Sequence, residues 1–564
     1  MKQKKPWLFI TLTIITILNL CNYFGIRSMW SGIIRYTFEA MPYILLVVLL
    51  VTMVAMILCV VNKKYPKFIL VIAILVNLLF IGLDGYIISL TLEATHYFIR
   101  EFLYNLAFIG VILAFTILWI CLSKKRMFQQ KWIPSAVFCV LLLLGIVARF
   151  DIRFFNSINC TPAVYAVEDS YQITFTSRAK GTAWVVIDGV EYSDTYAGYR
   201  ETENTIHKIT VPMSVLDNAK EYTVYTRSML LRGPYCALQG KIISKTFNWR
   251  GVNPEDGINY YVMSDNHNTL KTPEKAGSYF GNSLDFLISC GDTVSWIDRE
   301  ADLTNFLYLA GNITKGEVPV IYARGNHETK GVKAHEYYQY VGSKDEKFYY
   351  TFRLGNIWGI VLDVGEDHAD DFIEYYGAAE FDAYRDEQTV FLDQVLANAD
   401  TEFNAPGVDY RIAVCHIPLT VKYNNDHAGT HKDEWLKRLN QMKLTMLYGG
   451  HVHELWYIDD SFEAGSTLEQ CEEYSGKSEG NSKRIMADAD FPAILVSKRA
   501  EGQLLTDEEF VFEKGFIGLA VSVEGNETVM KYTNEKQEVL ENIISPWFSD
   551  IKYGNEIRVE NDNS

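Results

Sequence analysis

Beyond residue 255 the chain repeats one local pattern: a short apolar run that stops on a residue able to bind a metal. "YYVMSDNH" ends in Asp265 and His267, "FLISCGD" in Asp292 and "VPVIYARGNHE" in Asn326 and His327. "RIAVCHIP" follows with His416, and "LTMLYGGHVH" with His451 and His453. Apolar runs of this length, bounded by turn residues, read as buried strands. Ligands at the ends of neighbouring strands converge on one edge of a sheet, where α/β proteins place their sites. Singly each signal is weak, because Asp-x-His arises by chance and a histidine after a strand is commonly just a satisfied polar residue. The two glycines of "GGHVH" let the backbone turn close to a site. All five in this order are hard to reach by chance.

The residue types suit Zn, Mn or Fe, which take imidazole nitrogen and carboxylate oxygen. The candidates exceed one tetrahedral shell. Two ions about 3.5–4 Å apart, with one carboxylate shared, would use them all and clamp both sides of an in-line displacement at phosphorus.

With these motifs in place, roughly 255–540 resembles the calcineurin-like metallophosphoesterases. The resemblance implies a four-layer αββα fold and two divalent or trivalent ions (Mn, Fe or Zn). Asp265, His267 and His453 would hold one ion, Asn326, His416 and His451 the other, and Asp292 would bridge them. It also implies attack on a phosphate ester, monoester before diester, by a metal-bound hydroxide, with His327 assisting the leaving oxygen or the transition-state charge. A β-sandwich ahead of such a domain resembles purple acid phosphatases. Those carry a metal-binding tyrosine three residues after the bridging aspartate, where "GDTVS" has Ser295, so His267 would supply that ligand.

Residues 1–150 read differently. Five apolar stretches, about 7–26, 41–61, 68–90, 103–122 and 132–150, are long enough to cross a bilayer, which takes roughly 20 apolar residues. Lys2, Lys4 and Lys5, then Lys63, Lys64 and Lys67, then Lys124, Lys125, Arg126 and Lys131 occupy alternate flanks. By the positive-inside rule the N-terminus is inside, and five crossings put the remainder outside. The expectation is a multi-pass cell-membrane protein with an extracellular catalytic domain and the lipid bilayer as a partner. Asp84 reads as lying near the outer end of span three.

Charge divides the same way. Residues 1–150 hold 14 Lys+Arg against 4 Asp+Glu, so the overall −17 leaves −27 for residues 151–564. So acidic a body repels polyanions, which excludes nucleic acid as an expected partner. Nothing indicates an oligomeric state.

Residues 153–250 carry short alternating stretches such as "YQITFTS" and "GTAWVVIDGVEY", with Asp188–Gly189 as a hairpin signal. They suggest a small fibronectin- or immunoglobulin-like β-sandwich. The expected domains are thus 1–152 (transmembrane), 153–250 (β-sandwich), 251–550 (metallophosphoesterase) and a tail, 551–564. Cys160 and Cys236 flank one segment and are disulfide candidates if it is extracellular. "QTVFLDQVL" reads as an amphipathic helix on the sheet, "FPAILVSKR" and "FIGLAVSVEG" as closing strands, and "STLEQCEEYSGKSEGNSKR" as an exposed insertion. His335 and His368 lie outside the motif positions.

Two rivals stand beside the enzyme. A membrane sensor whose esterase-like domain only recognises ligand would be marked by a lost ligand, and none is lost. A transporter would place charged residues within the spans, where they are scarce.

Overall fold

A computed structural model describes residues 11–19, 47–49, 51–52, 67–89, 156–232, 237–423, 426–459, 462–468, 484–496, 515–540, 543–544, 552–553 and 556–560. The chain divides into two compact units, Met1–Ile152 and Arg153–Ser564.

In the first unit Lys67–Ser89 is a helix. Its Asn77 is buried; it accepts a hydrogen bond from Asn19 Nδ2 at 2.8 Å and donates to Thr52 Oγ1 at 3.2 Å. Among the described residues no helix is long and apolar enough to cross a membrane. The five-span region, the inside N-terminus and the extracellular catalytic domain are therefore withdrawn. The stretches 103–122 and 132–150 lie outside the described residues, as do most of 41–61 and the ends of 7–26.

The second unit is mixed α/β with two principal sheets. The larger has twelve strands; its central path runs Ile557–Glu560, Glu527–Asn534, Ile517–Glu524, Ile258–Met263, Phe286–Ser289, Val320–Tyr322, Ala163–Val167, Ser170–Ile187, Glu221–Arg232, Ala237–Asn248. The second has six strands, in the order Tyr350–Leu354, Ile357–Val361, Tyr410–Val414, Met446–Gly449, Ala493–Leu495, Trp456–Ile458. One apolar core lies between them, with Val262, Ile288 and Ile321 from the first sheet and Ile412, Met446 and Ile494 from the second. Tyrosines cross this core: Tyr260 and Tyr448 share a 2.6 Å hydroxyl hydrogen bond, and Tyr350 Oη donates to the Tyr322 carbonyl at 2.8 Å. The outer face of the second sheet is covered by Phe381–Ala397 and Gly429–Leu439, which bury Leu392, Trp435 and Leu436 against Ile360, Ala413 and Leu447.

The separate β-sandwich is also corrected. Ala163–Val167 pairs in parallel with Val320–Tyr322 through Tyr165 and Val320, so the strands of 163–248 extend the main sheet. Ser170–Ile187 runs 18 residues and bends at an irregularity between Thr176 and Gly181. Its first half pairs with Ala163–Val167 and Asn204–Pro212, its second with Glu221–Arg232. Alternation shows that a strand has one buried face, not which strand lies beside it. Asp188 and Gly189, at φ +48° and +79°, make the hairpin turn to Val190–Tyr192. The C-terminal segment contributes the edge strand Ile557–Glu560. Cys160 is a buried free thiol, and Cys236 and most of the polar insertion after Ser466 lie outside the described residues.

Candidate metal centre

Parallel pairing decides where the ligand candidates meet. Ile258–Met263, Phe286–Ser289 and Val320–Tyr322 are parallel neighbours, in register through Tyr261, Leu287 and Val320. Tyr410–Val414 and Met446–Gly449 are parallel in the second sheet, with Val414 opposite Tyr448. Parallel strands end at the same edge, so the loops after all five reach one place. Backbone bonds then lock loop to loop. Asp265 N donates to the Gly291 carbonyl, and His267 N to that of Asp292, each at 3.0 Å; Gly450 N donates to the His416 carbonyl at 2.9 Å.

The loops are strained. Asp265, His267, Asn268, Asp292, His451 and His453 all have positive φ, from +43° to +74°. Each such residue costs on the order of 1–3 kcal/mol and persists only where its surroundings over-determine it. Gly450 is needed for close approach: a Cβ there would clash with Ser264 Oγ and lie 2.8 Å from Asp265 Oδ2.

The eight candidates come together. His453 Nε2 is 3.2 Å from Asp265 Oδ1 and 3.1 Å from His267 Nε2. Asp292 Oδ2 is 3.2 Å from His416 Nε2 and 3.9 Å from the Nε2 atoms of both His267 and His327. Asn326 Oδ1 is 3.2 Å from both His416 Nε2 and His451 Nδ1. Ligand atoms of Asp265, His267 and His453, of His267, Asp292 and His327, and of Asp292, His416 and His451 each lie within 4.8 Å of one another.

The outward-facing atoms set which nitrogen is offered inward. His416 Nδ1 donates to the Cys290 carbonyl at 2.7 Å, and His327 Nδ1 to that of Ser295 at 2.8 Å. A carbonyl only accepts, so in both rings Nε2 carries the inward lone pair when the ring is neutral. Asn326 Nδ2 donates to Glu366 Oε1 at 3.1 Å, which turns its Oδ1 inward. Asp367 Oδ2 lies 3.4 Å from His451 Nε2, which leaves Nδ1 inward. Lone pairs 3.1–3.2 Å apart repel unless a proton or cation lies between them. This donor set of oxygen and imidazole nitrogen fits divalent metal ions.

The electrostatics agree. Burial pushes the Asp265 carboxyl up, but the imidazoles of His453 and His416 outweigh it and hold it at about 2. Burial acts likewise on Asp292, and His416 and His327 bring it well below the usual carboxylate range. Burial, reinforced by His327, drives His267 down and keeps it neutral. His416 is pulled the other way: burial lowers it, but Asp292 lifts it to about 10. A metal bound here would take the place of its proton.

Three contributors were not singled out in the sequence. Glu328, fully buried, accepts from the backbone N–H groups of Asp292 (3.0 Å) and Gly325 (2.8 Å) with one oxygen and of Thr293 (2.5 Å) and Val294 (3.3 Å) with the other. Glu366 and Asp367 follow the apolar run "IWGIVLDV", a sixth run ending in acids that had the same signature. Ser295, where a purple acid phosphatase would have tyrosine, contributes the carbonyl that holds His327. His335 is exposed and meets Glu336 rather than this centre, whereas His368 Nδ1 is 2.7 Å from Asp367 Oδ1 at its margin.

Residues 258–455 match the family described as calcineurin-like phosphoesterase. No curated protein matches the chain by sequence. Solved structures similar to it include purple acid phosphatase PPD1 from yellow lupin (Lupinus luteus) seeds, 13% identical, with 72% of this chain and 74% of that one covered at a TM-score of 0.44. PhoD is 10% identical, with 72% and 92% covered at 0.39. GAP50, the anchor in the inner membrane complex of Plasmodium, is 11% identical, with 53% and 89% covered at 0.30.

Proposed function

We propose that this calcineurin-like phosphoesterase domain, taken as 251–550, is a metal-dependent hydrolase of phosphate esters that works with two ions. Asp265, His267 and His453 hold one ion, Asn326, His416 and His451 hold the other, and Asp292 serves both. The observation that carries this reading is the placement of Asp292 Oδ2 within 3.2–3.9 Å of three imidazole nitrogens, between the two ligand groups. Bound divalent ions supply Lewis acidity toward a phosphoryl oxygen and activate water.

The residues of the chain do the rest. The backbone N–H of His327 donates to Asp292 Oδ1 at 2.9 Å, leaving Oδ2 for the ions. The His327 side chain is 30% exposed, against 2% for His267 and His416, and it belongs to neither ligand group, so its Nε2 can meet a leaving group at the mouth. Its Nδ1 bond to the Ser295 carbonyl fixes the ring, so in the imidazolium form the second proton, on Nε2, faces the space beside Asp292 at the mouth of the centre.

The test is to express Arg153–Ser564, measure bound metals, and screen phosphomonoesters and diesters. Asp292→Asn should remove most activity and lower metal content. Full activity in the chelated, metal-free protein sinks the reading.

A further inference from the structure

Glu366 and Asp367 stand on neither of the elements that bring in the ligands. They come from the loop after Ile357–Val361, on the second sheet. Arg385, fully buried on the helix Phe381–Ala397, pins that loop: its Nε donates to the Val364 carbonyl at 2.9 Å and its Nη2 to that of Glu366. Glu366 is itself fully buried, and Lys330 Nζ pairs with its Oε1 at 3.0 Å.

Each carboxylate touches one ligand candidate on the atom that faces away from the centre. Glu366 Oε1 takes the Asn326 Nδ2–H, and Asp367 Oδ2 meets His451 Nε2. Asn326 Oδ1 lies 3.2 Å from both His451 Nδ1 and His416 Nε2. Without Glu366 the Asn326 amide is free to flip and offer its NH₂, which cannot bind a metal. Asp367 Oδ2 beside Nε2 favours the His451 tautomer with the proton on Nε2 and Nδ1 bare. A carboxylate behind a metal-ligating imidazole both fixes its tautomer and raises its basicity.

We infer that Glu366 and Asp367 are a pair of positioning residues that orient Asn326 and His451, and so set the affinity of one of the two metal positions. This rests on the two-metal reading above. The Asp265–His267–His453 position takes two of its three donors from the loop after Ile258–Met263, and only His453 shares a loop with His451, so this position depends on the pair less.

The experiment is a Mn²⁺ titration by calorimetry of chelated Arg153–Ser564, with melting temperature in parallel. Variants are D367A, D367N and E366Q. Wild type should bind two ions. D367A should weaken one by about 10–100-fold and the other by less than about twofold. D367N keeps an acceptor for Nε2–H and E366Q one for Nδ2–H, so both should weaken that ion far less than D367A does. Asp367 is 23% exposed, so D367A is not expected to unfold the domain. Two ions in wild type with both affinities unchanged in D367A overturn the positioning role alone. Equal weakening of both ions also overturns it, because the effect is then general destabilisation. Fewer than two ions in wild type overturns the two-metal reading, and the positioning role with it.

Discussion

Glu328→Gln should damage the centre without touching a ligand. The carboxylate is fully buried and collects five hydrogen bonds: four from backbone N–H groups and one, at 2.7 Å, from Thr293 Oγ1. These span the loop that carries Asp292 and the turn that carries Asn326. Gln keeps the shape but replaces one oxygen with NH₂. If the NH₂ takes the Oε2 position, the N–H groups of Asp292 and Gly325 lose their acceptor; in the Oε1 position, those of Thr293 and Val294 do. Either way two buried donors are orphaned, at about 1–3 kcal/mol each. Against this, burial and the neighbouring Asp292 charge already press the Glu328 carboxyl above its ordinary value, so neutralising it relieves some repulsion. The net expectation is roughly 2–5 kcal/mol of lost stability, most of it local to the two loops. The assay is urea unfolding of the chelated protein, followed by Mn²⁺ titration. Unchanged midpoint and unchanged metal affinity in E328Q would refute the argument that this carboxylate holds the loops.

Further outcomes can be checked alongside. His207 is buried on Ser177 and burial pushes its imidazole down to about 4, so the unfolded chain binds the extra proton and stability falls as pH drops from about 6.5 to 4, by about 3 kcal/mol from this group. His207→Phe should flatten that limb of a urea-midpoint profile between pH 7 and 4.5; an unchanged slope contradicts it. Gly450→Ala should lose metal binding because its Cβ meets Ser264 Oγ, and Ser264→Ala in the same chain should restore part of it. His327→Ala should keep its metals and lose about 10²–10⁴-fold on alkyl phosphates but less on nitrophenyl phosphates, whose leaving group needs little protonation. Equal losses on both would remove the proton-donor role.

Much of the candidate centre was legible in the sequence, for a local reason. A ligand at the end of an apolar run is placed by its own strand, so the run and its last residue can be read together, as with Asp292 after "FLISCG". Parallel pairing of those strands brings their ends together without long-range detail. What surrounds the ligands was not legible in that way. Glu366 and Asp367 reach Asn326 and His451 from a loop 40 and 84 residues away in sequence; the packing of two sheets makes the first pair neighbours, and strand order within the second sheet the other. The two large corrections have the same cause. An apolar run such as 68–90 states that side chains avoid water, not whether lipid or protein covers them; its Asn77 is buried on Asn19 and Thr52. Alternation in 163–248 states that one face is buried, but only the pairing of Tyr165 with Val320 decides that these strands extend the main sheet. Local pattern determines an element and its buried face, and tertiary contact decides what that face meets.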